Sequence, residues 1–187
     1  RATCTGPVPK LDLSWTIDLS IDFGFEHWFC ALWGARKTFD PQTDGIRPFD
    51  RVLVYRQYWG RQRQLEEHAE AIATHIAEDQ ARGLKRPDKI FADSAAAQDR
   101  HELRTMRERG LRIQTVAASK AFVNGIRSVD GAFRPSHDGW AKLILCPEMS
   151  RFSPKDAPDL VDQVESYPRP DNEKREDVVR SHNGTVE

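Results

Sequence analysis

The chain is short of cysteine and of long apolar runs, and its charge favours neither sign. Cys4, Cys30 and Cys146 are odd in number and widely spaced, with no C-x-x-C pair. That excludes a disulfide framework and a cysteine zinc site, and makes a reducing cytoplasm the expected compartment. No stretch approaches the roughly 18 apolar residues that a membrane span requires, so a membrane protein and a membrane partner are set aside. No H-E-x-x-H spacing relates the histidines, no G-x-S-x-G elbow marks a serine, and no G-x-x-x-x-G-K-[ST] loop occurs. Zinc chemistry, acyl hydrolysis and ATP hydrolysis are therefore not expected of this segment. Lysine plus arginine number 28 against 29 acids, a net charge of −1, so an anionic partner has to be met by a local patch.

What is present is a chain of 187 residues, 39% hydrophobic and 30% charged, which suits one globular domain over residues 1–187. Residues 1–14, with Pro7 and Pro9, read as a loop-like N-terminal extension, and 168–187 as a densely charged C-terminal segment with a helix start near Ser181 or Asn183. The chain opens at Arg1 without methionine or signal segment and reads as a piece of something longer.

Strand patterning falls at Trp15 to Phe23, Trp28 to Trp33 and Arg51 to Tyr58, which implies an antiparallel meander. The period then changes: Leu65, Ala69, Ile72, Ala73 and Ile76 recur at helical spacing until Gly83 and Pro87. A strand at Lys89 to Ala92, a helix at Ala95 to Arg109 and a strand at Leu111 to Val116 make a right-handed βαβ unit, so a parallel portion joins the meander. A helix at Lys120 to Val129, a strand at Lys142 to Leu145 and a short helix at Asp159 to Ser166 complete the reading. The fold class is α/β, with a central mixed sheet flanked by helices.

Asp22 and Asp93 each follow an apolar strand directly and precede a glycine or small-residue turn. Carboxylates at the ends of adjacent strands can converge into a hard oxygen site for Mg²⁺ or Mn²⁺, which suits phosphodiester hydrolysis. The same placement also serves turns and helix caps, and Asp93 at the mouth of the Ala95 helix could simply cap it. Asp18 shares the face of Asp22, but four residues at about 3.3 Å each put it roughly 13 Å away, in a structural role. Residues 51–127 hold 15 basic against 10 acidic side chains, while the flanks are net acidic. Arg61, Arg63, Arg100, Arg104, Arg107, Lys120 and Arg127 are the candidates there for contacts to backbone phosphates, the alternative being a solvated helix surface. Most tryptophans sit in apolar strands and read as core; Trp59 is the exposed candidate for stacking on bases. His68 and His75, seven apart, share a helix face as surface or core residues.

Ser20-Ile21-Asp22-Phe23-Gly24-Phe25, continuing through Trp28 to Gly34, resembles the first motif of the nuclease domain of tailed-phage terminase large subunits, an RNase H-like fold. In order follow Val54 to Tyr58, the Glu67-His68-Ala69 helix, Phe91-Ala92-Asp93-Ser94-Ala95 at the second acidic motif, Lys120, Gly125-Ile126-Arg127, Lys142 to Cys146, and Glu165-Ser166-Tyr167. The resemblance covers nearly the whole chain from about residue 15. In the third motif, Val179 to Glu187 aligns with Glu187 at the acid that usually completes the site, Asn183 at the preceding acid and Gly184 at the usual histidine.

The resemblance implies a two-metal-ion endonuclease for double-stranded DNA, with Asp22, Asp93 and Glu187 as catalytic metal ligands for two Mg²⁺ or Mn²⁺ ions. One ion would activate water and the other would stabilise the leaving 3′ oxygen. It also implies Lys120 as a basic DNA contact, an ATPase domain in the same parent chain, the small terminase subunit and portal as partners, and action in the bacterial cytoplasm. A DNA- or motor-docking module with an incomplete metal site, and a resolvase- or transposase-type nuclease of the same fold, are the alternative readings.

Overall fold

Thr16–Asp22 alternates buried and open positions, with Ile17, Leu19 and Ile21 at 5% exposure or less and Ser20 and Asp22 exposed. A strand with this period offers one face to a core and the other to solvent. It forms β1. The computed structural model describes residues 10–38, 50–105, 113–118, 131–134, 141–146 and 156–166. Within them follow β2 (Phe29–Thr38), β3 (Asp50–Gly60), α1 (Leu65–Ala81), β4 (Lys89–Ala92), α2 (Ala97–Thr105), β5 (Thr115–Ala117), β6 (Leu143–Leu145) and α3 (Leu160–Ser166).

The strands form one six-stranded sheet in the order β5-β4-β1-β2-β3-β6. β1 pairs antiparallel with β2, and β2 with β3, whereas β4 joins β1, β5 joins β4 and β6 joins β3 in parallel. This is the mixed, helix-flanked sheet expected from the sequence. β2 runs past the expected Trp33 to Thr38 because β1 pairs with it as far as Arg36 and β3 as far as Thr38, so its small and polar end is held by the ladder. In the last parallel strand, Ile113 is buried but pairing starts only at Thr115. The expected Lys120 to Val129 helix and the segment from 168 onward lie outside the described residues.

On one face, Ile17, Leu19, Ile21, Phe29, Ala31, Trp33 and Leu53 join Ala69, Ile72 and Ile76 of α1 and Leu103 of α2 in a single core. Each large side chain there contributes roughly 1.5–3 kcal/mol by leaving water. The opposite face is covered beside β3 and β6, where Val54 and Leu145 pack with Leu143, Phe133 and with Leu160 and Val161 of α3. α1 begins with the Gln64 backbone N–H donating to the Glu67 carboxylate at 2.8 Å, and ends where Gly83 takes φ 86°, the left-handed turn that glycine adopts freely.

A bulge links sheet and helix. Trp33 faces Arg56 while Gly34 faces Val54, so Tyr55 is an extra residue in β3. The extra residue breaks the alternation, and two consecutive side chains reach the same side. The Tyr55 hydroxyl and the Arg56 guanidinium both donate to Asp79 of α1 at 2.8 Å, and Arg56 also reaches Glu78 at 2.8 Å. Arg56 and Asp79 are both buried, a placement tolerated because every charge is met. The Arg56 bond holds the Glu78 carboxyl below its usual range, and burial, then the Asp79 charge, pushes the Tyr55 hydroxyl up.

Asp79→Ala would remove the buried carboxylate that meets the buried Arg56, leaving the half-exposed Glu78 as its carboxylate partner, and is expected to destabilise the fold by about 3–5 kcal/mol in urea titration. The double change Arg56→Met with Asp79→Leu should recover most of that loss. A single variant within about 1 kcal/mol of the parent would show that the pair does not anchor α1.

Candidate active site

Leu19 faces Ile90 and Ile21 faces Ala92 in the parallel pairing of β1 with β4. One residue further, Asp22 and Asp93 stand at the ends of these two neighbouring strands, and neighbouring strands run about 4.8 Å apart. Because Ile21 and Ala92 turn into the core, the two acids fall on the other, open face, and both residues are exposed. Partial burial at the sheet end, and secondarily the Asp93 charge, raise the proton affinity of Asp22.

Asp93 also caps the turn into α2: its Oδ1 accepts the Ala95 backbone N–H at 2.8 Å. The capping alternative is thus observed, and it occupies one oxygen while fixing the orientation of the other. On the opposite side of Asp22, Cys30 is its antiparallel partner. Burial first, and the Asp22 charge second, push the Cys30 thiol up to about 12, so it stays protonated at neutral pH. Asp18 pairs instead with Arg36 at 3.2 Å, the structural role expected of it.

Two adjacent carboxylates, one with raised proton affinity, are a hard-oxygen donor set that fits Mg²⁺ or Mn²⁺. Among the described residues no group of three or more His, Cys, Asp or Glu side chains could hold a metal. Glu187, Lys120 and Arg127 lie outside the described residues.

The β3 to α1 junction flanks the site. Arg61 is exposed, and its Nε donates to the Glu26 carbonyl at 3.1 Å. The Gln62 N–H donates to the Phe25 carbonyl at 3.2 Å, with Gln62 itself at φ 55°. A left-handed residue other than glycine costs about 1 kcal/mol or more, so the junction is held against strain. Arg63 is exposed and hydrogen-bonds Tyr58. Arg100, half-buried on α2, has Nε and Nη1 buried with no hydrogen-bond partner among the described residues.

His68 is 2% exposed, stacks on Phe29 at 4.0 Å between ring centroids, and shares a 2.9 Å hydrogen bond with the Tyr58 hydroxyl through Nδ1. Burial, then the Arg63 charge, lowers its pKa to about 4, so it is a neutral core residue. Trp59 is corrected: it is 7% exposed and no surface stacker, because β3 runs on to Gly60 with Trp59 paired to Cys30. Sequence reading passed over the braced Phe25 loop and the proximity of Cys30 to Asp22. The strand register carries both, and only the strand boundaries hinted at it.

No family model and no curated protein matches the chain. Among solved structures, the large terminase of a thermophilic bacteriophage has a TM-score of 0.52 at 16% identity, covering 80% of this chain and 33% of that one. The complex of that terminase with ADP gives the same values. This chain has the fold of part of a phage large terminase. Its match spans about a third of the terminase chain. Among the described residues, no helix is long and apolar enough to cross a membrane.

Since folding raises the proton affinity of Asp22, its charge costs stability above the folded pKa, and the cost disappears as pH falls toward the ordinary value of 3.8. Asp22→Asn is expected to melt at a higher temperature than the parent at pH 7 in EDTA, with the gap closing on acidification below pH 3.8. Thermal melts across pH check this, and a gap that does not change with pH would contradict the assigned environment.

Proposed function

We propose that this domain is the nuclease part of a terminase large subunit, a metal-dependent endonuclease that cuts double-stranded DNA during phage genome packaging. The observation that carries the reading is the register of Ile21 with Ala92, which sets Asp22 beside Asp93 on an open face. The terminase-like fold supports it at the level of architecture.

Asp22 and Asp93 would hold Mg²⁺ or Mn²⁺, two ions in the full site, with Glu187 as the third ligand. When bound, such ions supply Lewis-acid activation of water and offset phosphate charge. Asp93 enters with its carboxylate already oriented by the Ala95 N–H. Cys30, protonated beside Asp22, adds no competing negative charge. Arg61, Arg63, Arg100, Lys120 and Arg127 would neutralise backbone phosphates without reading sequence, as nonspecific cutting requires. The ATPase domain of the parent chain, the small terminase subunit and the portal are the partners this role assigns, in the cytoplasm of the bacterial host.

The second reading is a docking module with an incomplete metal site.

Plasmid nicking with Mn²⁺ or Mg²⁺, abolished by EDTA, tests the proposal. Asp22→Asn and Asp93→Asn, each folded by circular dichroism, should lower the rate at least about a hundredfold. DNA binding without any metal-dependent cutting would favour the docking module, and cutting unchanged in both variants would place the chemistry elsewhere. Binding should be weak and fall steeply with salt, since near-neutral overall charge leaves only a local basic patch.

A further inference from the structure

We infer that Phe25 is a DNA-contact residue, packing its ring against a backbone sugar of the duplex next to the bond that is cut; this rests on the nuclease reading above. Phe25 lies three residues beyond Asp22, so their Cα atoms are at most about 11 Å apart. Its side chain is 59% exposed, whereas Phe23, two residues earlier, packs edge-on against Phe29 at 5.9 Å.

That exposure is not slack in the loop. The Phe25 and Glu26 carbonyls are both taken up by the β3 to α1 junction, through the Gln62 N–H and Arg61 Nε. A Cβ on Gly24 would come within 2.7 Å of the Trp28 carbonyl oxygen, so the chain here is closely folded. The brace therefore holds an exposed apolar ring on the loop that leaves Asp22, with Arg61 and Arg63 on the bracing segment. The Glu26 and His27 side chains, both exposed, share the loop.

An aromatic ring next to guanidinium groups suits a partner whose backbone alternates apolar sugar faces with phosphates. A protein partner would call for a broader apolar patch. The other large apolar side chains exposed among the described residues are Leu13 and Val116. Leu13 precedes β1 at the opposite end of that strand, and Val116 lies on the edge strand β5, so neither extends a patch around Phe25.

The test uses the full chain and a fluorescent linear duplex, with Ca²⁺ to measure binding without cutting and Mn²⁺ to measure cutting. Phe25→Ala is expected to bind about tenfold more weakly and to cut correspondingly slower. The slope of affinity against salt should be unchanged, because a ring displaces no counterions, and Phe25→Trp should restore binding. Binding and cutting within twofold of the parent, while the parent is active, would overturn this inference and leave the nuclease reading intact. A parent chain that neither binds nor cuts would overturn both. Unchanged DNA binding with weakened association to the ATPase portion of the parent protein would overturn it in favour of protein docking.

Discussion

The parallel register between β1 and β4 is the constraint on which the site depends. Side chains alternate along a strand, so seating Ile21 and Ala92 in the core forces the next residue of each strand onto the open face. A slip of one residue in either strand would turn its acid toward α1 and α2, where a carboxylate without a partner is costly. Core packing thus specifies the placement of the two acids: the apolar side chains hold the alignment, and the acids inherit their position from it.

The second anchor works differently. Helix α1 could have docked through apolar contacts alone, yet β3 carries an extra residue that sends Tyr55 and Arg56 together to Asp79. An ion pair of this kind adds little net stability over apolar residues of similar volume, but it tolerates few alternative alignments. Its effect is to fix the axial position of α1 on the sheet. That position sets where the β3 to α1 junction meets the Phe25 loop, with Gln62 held in a left-handed conformation.

Much of this was legible in the sequence where patterning is strong. The alternation of Ile17, Leu19 and Ile21, the helical spacing from Leu65 to Ile76, and the Gly83 stop correspond to β1 and α1. The first three strands and the parallel addition of β4 and β5 also follow from element order. Less legible was anything decided between strands. The end of β2 at Thr38 depends on its pairing with Asp50 of β3, and no local pattern places β6 against β3. Trp59 looked exposed because it adjoins Gly60 and a polar loop, whereas pairing with Cys30 keeps it in the sheet. Asp22 and Asp93 were visible as strand-end acids, but their adjacency is a property of register. The bulge at Tyr55 leaves no trace in hydropathy, since tyrosine and arginine both occur on half-buried strands.

The meander of β1, β2 and β3 is built from contacts close in sequence, whereas Asp22 and Asp93 are some seventy residues apart and meet only when β4 docks. Loop closure of that length comes late, after local pairings can hold it. An incompletely folded chain therefore carries single, unpaired carboxylates and lacks the twin-acid site. The topology itself ties the candidate site to the docking of β4 on β1.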